Sequence, residues 1–174
     1  MKNKTQIITE CGIAIALAAL LSFLTVVKMP QGGAVSLVML PLFITAYRRG
    51  VVYGILTGAV YGLVSLLIDG VIYHPLSVLL DYVLAFGLVG IAGFFKPDTK
   101  GIIFGTFLGV LCRFTSSFLS GWLLFASYAP EGQNVILYSL GYQAAYLVPE
   151  LIICLVVLLI LLKKAPRVFY KNKL

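Results

Sequence analysis

Four ionisable side chains stand inside otherwise apolar stretches of the sequence: Glu10, Asp81, Arg113 and Glu150. A charge surrounded by hydrocarbon is costly, so each needs either a partner or a task. Arg113 lies about 18 Å along a helix from Gly101, and Glu150 lies about 18 Å from Leu162 at the other end of the next apolar stretch. Opposite charges at matching depth on neighbouring helices point to a buried ion pair. Such a pair reads either as a structural fastening or as part of a ligand site, and removing one partner alone strands the other. Glu10, within a turn of the end of its stretch, reads as an acid at the interface. Asp81 sits about one and a half turns inside its stretch, with no Lys or Arg in the adjacent loop. It is either a solvated interfacial acid or the counter-charge for a cation.

Aromatic residues gather at the depth of Asp81. Tyr73, Tyr82, Tyr128, Tyr138, Tyr142 and Tyr146, with Trp122 and Phe125, fall towards one end of three apolar stretches. A membrane-interface belt accounts for some of them. Tyr138, Tyr142 and Tyr146 repeat every fourth residue and so share one helical face, with Gln143 beside them. Tyrosine and phenylalanine walls with one carboxylate and one amide describe a pocket for a flat, polar, cationic ring. Motifs for other chemistry are missing. The sequence has no G-x-x-x-x-G-K-[ST], no H-E-x-x-H and no G-x-S-x-G, so no nucleotide loop, zinc protease helix or nucleophile elbow is expected. Cys11, Cys112 and Cys154 lie in separate apolar stretches without metal-ligand spacing, and His74 sits in a loop before Pro75. Neither a catalytic group nor a metal or cofactor is expected.

The elements that must hold these residues follow from composition. Of 174 residues, 61% are hydrophobic and 11% charged, and the mean hydropathy is +1.06. A soluble domain of this size carries about 25% charged residues. The numbers exclude a water-soluble domain and a disordered chain, and leave an integral membrane protein. Six spans are read, at about 7–27, 35–47, 51–68, 76–95, 101–128 and 135–162, forming one all-α membrane domain over 1–174. The second is short and contains Pro41. Lys2, Lys4, Arg48, Arg49, Lys96, Lys100, Lys163, Lys164, Arg167, Lys171 and Lys173 all fall on one side if both termini are cytoplasmic, leaving only Lys28 outside and Arg113 within a span. That distribution is the positive-inside pattern of a multi-pass protein of the cell membrane. The net charge of +7 is thereby a topology signal and not a nucleic-acid surface. The first span is expected to be retained, not cleaved as a signal peptide. Small residues four apart, at Gly54, Gly58 and Gly62, at Gly101, Gly105 and Gly109, and at Gly12 and Ala16 beside Ala14 and Ala18, allow close helix packing. The stripe on the first span could equally dock a separate membrane protein.

Several strings are more specific than composition: Met29-Pro30-Gln31-Gly32-Gly33 with Ser36 to Pro41; His74-Pro75 with Leu80 to Phe86; Ser120-Gly121 with Tyr128 to Gly132; and Tyr138 to Pro149. Together and in this order the chain resembles the thiamine-specific substrate-binding (S) component of energy-coupling factor transporters. The resemblance implies a six-helix protein that captures a vitamin from outside. Its partners would be a transmembrane coupling subunit and two cytosolic ATPases, which fits the missing nucleotide loop. It implies that Gly12 and Ala16 contact the coupling subunit. Asp81, Tyr82, Phe125 and Tyr138 match ligand-binding positions. Ser117 stands where the family commonly has His, and Gln143 where it has Asn. Gly32, Gly33 and Ser36 occupy the region of a family Trp. Thiamine is the first ligand implied; a vitamin B6 compound, hydroxymethylpyrimidine or another flat heterocycle is the alternative on the same fold. A self-sufficient secondary transporter is a further alternative, disfavoured by the absence of a visible inverted repeat.

Overall fold

A computed structural model describes residues 2–30, 32–70, 72, 74–130 and 132–170. Gln31, Tyr73, Glu131, Lys171 and Lys173, which entered the sequence reading, lie outside the described residues. Six helices dominate: α1 (Lys2–Ser22), α2 (Met39–Arg49), α3 (Val51–Asp69), α4 (Pro75–Phe94), α5 (Thr99–Leu124) and α6 (Val135–Lys164). All but α2 are long and apolar enough to cross a bilayer. The all-α membrane architecture stands as expected, with corrections at several helix ends.

The largest correction lies between α1 and α2. The described residues between Val26 and Val35 are not helical. Val27–Lys28 (β1) and Ala34–Val35 (β2) pair antiparallel, Val27 opposite Val35 and Lys28 opposite Ala34. The turn between them needs positive φ at Gly32 (92°) and Gly33 (84°), a region open to glycine at little steric cost. The helix α2 therefore starts at Met39, not near Val35, and its 11 residues reach only about 16 Å. It survives within a membrane protein because seven of those residues, Met39, Pro41, Leu42, Phe43, Thr45, Ala46 and Tyr47, are buried against neighbouring helices. The fifth span also ends earlier than expected, at Leu124, followed by a short 3-10 turn.

Glycines set the spacing of the helices. A Cβ on Gly58 would lie 2.1 Å from the Phe86 carbonyl oxygen, and one on Gly62 would lie 2.1 Å from that of Tyr82. Thus α3 rests backbone-to-backbone on α4. Gly105 and Gly109 do the same for α5, against the Ala92 and Val89 carbonyls, the Tyr47 hydroxyl and the Phe43 ring. On α1 the two small stripes part company. Ala14 and Ala18 are buried, while Gly12 and Ala16 face outward beside Ile13, Leu17 and Leu20.

The starts of α4, α5 and α6 carry side-chain caps. The His74 imidazole accepts from Leu76 N, Asp98 Oδ1 from Gly101 N, and Asn134 Oδ1 from Ile136 N. Each offers an acceptor to one of the orphan amides of a first turn. His74 thus has a structural duty.

At the end of the bundle where α1 begins and α6 finishes, the chain closes on itself. Glu10, read as an acid at the interface, is shared between Arg48 and Arg49 of α2. Arg48 Nη1 donates to the backbone carbonyls of Arg167 at 2.8 Å, Val168 at 3.2 Å and Tyr170 at 2.6 Å. Phe169 is fully buried and meets the Tyr47 ring edge-on. One guanidinium so pairs with an acid on α1 and donates hydrogen bonds to carbonyls of the C-terminal segment.

Candidate substrate-binding site

At the opposite end, the ribbon and α3 to α6 enclose a cavity of about 620 Å³. That is an ordinary size for a small-molecule site. Its carboxylate comes from an irregular part of α4. Residues Val78–Leu84 form a π-helical stretch, a widened turn that occurs often at functional positions. Two serines one turn apart on α5 hold it. Ser116 Oγ donates to the Leu80 carbonyl at 2.6 Å, and Ser120 Oγ to Asp81 Oδ2 at 2.5 Å. Asp81 and Tyr82 both line the cavity as a result.

The α6 face brings Tyr138, Tyr142 and Tyr146 to the cavity as a ladder, with successive ring centroids 6.1 and 6.3 Å apart. Gln143 joins them. Its Nε2 donates to the Ser117 carbonyl at 3.1 Å, and its Oε1 accepts from the Tyr146 hydroxyl. The amide is therefore fixed in orientation, with a second N–H still to offer. Tyr142 donates to the Gly32 carbonyl at 2.7 Å, fastening the ribbon turn to α6. Gly33 is packed so closely on Tyr146 that a Cβ would meet its ring at 2.7 Å. Ser117 and Phe125 complete the expected set on the wall.

Arg113 also lines the cavity, with its guanidinium carbon 4.3 Å above the Phe86 ring. Its Nη1 lies 3.4 Å from Glu150 Oε2, and Glu150 Oε1 accepts from Ser36 Oγ at 3.1 Å. Glu150 itself stands behind the wall. Gly12 and Ala16 lie on the outer face of α1, apart from the cavity.

Several wall residues escaped the sequence reading. Tyr61 of α3 packs edge-on to Phe86 at 4.8 Å, and both face the cavity with Ser65, Ser139 and Lys28. Trp122 was read among the aromatics at this depth, some of them belonging to an interface belt. It stacks on Phe118 outside the lining and is 41% exposed. Among the described residues no three His, Cys, Asp or Glu side chains gather to hold a metal.

Such a cavity suits a flat heterocycle with a positive charge, and the comparisons with known proteins bear on which. The family model described as thiamine transporter protein matches residues 8–170. The chain belongs to the thiamine transporter family. It is 38% identical to the thiamine transporter ThiT of Bacillus subtilis, over 99% of this chain and all of that one. Against the thiamine transporter ThiT of Lacticaseibacillus paracasei the identity is 28%, covering 94% of this chain and 90% of the relative. A solved structure of ThiT from Listeria monocytogenes superposes with a TM-score of 0.88 at 26% identity, covering 97% of this chain and all of that one. The chain is thus a multi-pass membrane transport protein and not an enzyme. As members of this family do, it serves thiamine uptake.

Proposed function

We propose that thiamine binds in the cavity beside Asp81, and that the chain is the substrate-binding component of an energy-coupling factor importer. The carrying observation is Asp81: a carboxylate anchored by Ser120 on a wall of tyrosines, where a cationic ring gains both charge and stacking. In this reading Tyr82, Phe125 and Tyr138 contact the rings, and Ser117, Tyr142, Gln143 and Tyr146 shape and hydrogen-bond the remaining surface. The outward stripe of Gly12 and Ala16 docks the transmembrane coupling subunit. Two cytosolic ATPases supply the energy. The whole chain acts as one six-helix domain whose basic end, with both termini, faces the cytoplasm by the positive-inside rule.

The test is ligand binding to purified protein. Asp81→Asn removes one charge and keeps the shape. A charge-assisted hydrogen bond contributes about 1.5–3 kcal/mol, so affinity for thiamine falls roughly ten- to a hundred-fold. Tyr53→Phe, which alters a residue outside the cavity lining, leaves it unchanged. Equal affinity in both variants refutes the assigned site. Ser117 and Gln143 favour a second reading, a different flat heterocycle in the same cavity. Competition among thiamine, hydroxymethylpyrimidine, pyridoxine and pyridoxamine decides it. Uptake by liposomes containing this chain alone would establish a self-sufficient carrier instead.

A further inference from the structure

A guanidinium in the wall of a cavity meant for a cation is a liability. Arg113 is 93% buried by its 7% exposure, so water screens it little. Among the described residues, the charged ones on the cavity wall are Lys28, Asp81 and Arg113. Lys28 is exposed on β1 and its charge is damped by solvent. Unopposed, Arg113 would offset Asp81 and leave the buried wall without net charge.

Glu150 alters that balance. It is 1% exposed and does not line the cavity, yet its carboxylate meets Arg113 from one side and Ser36 from the other. Arg113 and Ser36 both belong to the wall. An opposed pair of charges a few ångströms apart acts on a third charge only as a dipole, so its field at the ligand is much weaker than that of either ion alone. Counting Glu150, the groups Asp81, Arg113 and Glu150 together carry one net negative charge, that of the half-buried Asp81.

We propose that Glu150 is a positioning residue for selectivity: by neutralising Arg113 from behind the wall, it lets the cavity prefer a cation over a neutral molecule of the same shape. This inference rests on the reading of the cavity as the thiamine site. It assigns Glu150 a role in ligand choice beyond that of a structural ion pair.

The experiment compares thiamine with its neutral thiophene isostere, in which carbon replaces the quaternary ring nitrogen. Affinities for both are measured by calorimetry on the full-length protein in detergent. Wild type prefers thiamine. Glu150→Gln frees the charge of Arg113 and lowers the thiamine-to-isostere affinity ratio by roughly ten-fold or more, the effect of one uncompensated charge about 10 Å from the ligand at an effective dielectric near 20. Arg113→Met alone leaves the ratio at or above the wild-type value. The double variant, with both charges gone, returns to the wild-type ratio. If Glu150→Gln is too unstable to purify, Arg113→Lys with Glu150→Gln keeps one cation without its acid and lowers the ratio in the same way, and a ratio unchanged in that variant overturns the inference.

A purely structural role weakens both ligands alike in Glu150→Gln and keeps the ratio constant, which overturns the inference. A ratio lowered by Arg113→Met overturns it too, since Arg113 would then serve the ligand directly. Failure of wild type to bind thiamine overturns the underlying assignment of the site, and is distinct from either result.

Discussion

The contact between α3 and α4 makes a prediction about a residue that does not line the cavity. A Cβ added at Gly62 would stand 2.1 Å from the Tyr82 carbonyl oxygen, 2.6 Å from its carbon and 3.2 Å from Val83 N. A carbon approaches a carbonyl oxygen no closer than about 3.3 Å even in favourable contacts. Gly62→Ala therefore forces the helices apart by about 1 Å at Tyr82, one residue from Asp81. The obstacle is backbone, so no side chain can rotate to relieve it. Overpacking of this kind costs about 1–3 kcal/mol. The same shift disturbs the Ser116–Leu80 and Ser120–Asp81 hydrogen bonds that hold the π-helical stretch. Losing the alignment of a charged hydrogen bond weakens ligand binding by a further factor of about ten. The control is Gly141→Ala on α6, where a Cβ meets nothing within 4 Å and helix propensity favours alanine by up to about 1 kcal/mol. Thermal unfolding in detergent and titration with thiamine read the two effects. Gly62→Ala melts earlier and binds more weakly, while Gly141→Ala matches or exceeds wild type in stability. Indistinguishable behaviour of the two variants would refute the claim that the α3–α4 contact places the carboxylate.

Three further outcomes follow from the structure. Phe169→Ala empties a fully buried site beside Tyr47 and destabilises the protein by about 3–5 kcal/mol, seen as a lower melting temperature. Glu10→Gln weakens the grip of Arg48 and Arg49 on α1 and costs about 1–3 kcal/mol; limited proteolysis then cuts the C-terminal segment faster, and unchanged proteolysis contradicts the fastening role. Tyr142→Phe removes the bond from α6 to the Gly32 carbonyl, so stopped-flow mixing shows faster thiamine association and release, with a smaller change in affinity than Asp81→Asn.

The spans were legible because apolar length and the placement of lysine and arginine report directly on the bilayer. The ribbon was not. Val26, Val27 and Val35 look the same to a hydropathy count whether they sit in a helix or a strand, and only the positive φ of Gly32 and Gly33 separates the two. The tyrosine face of α6 was legible because its spacing of four matches the helix turn. Tyr61, Phe86 and Ser139 were not, because an aromatic or small residue in a span serves helix packing as readily as a cavity wall, and nothing in its type separates the two. The bond between Glu10 and Arg48 joins residues 38 apart, a separation that sequence spacing cannot register. The π-helical stretch around Asp81 has no marker in residue type at all. It follows from tertiary constraints, the α5 serines on one side and the α3 glycines on the other.

The central claim is that this chain alone holds thiamine in the cavity beside Asp81. Calorimetric titration of thiamine into the purified wild-type protein, without partner subunits or nucleotide, tests it most directly. The account predicts saturable binding of one thiamine per chain, strongly weakened in Asp81→Asn. No saturable binding, or binding of pyridoxine or hydroxymethylpyrimidine in preference to thiamine, would contradict it.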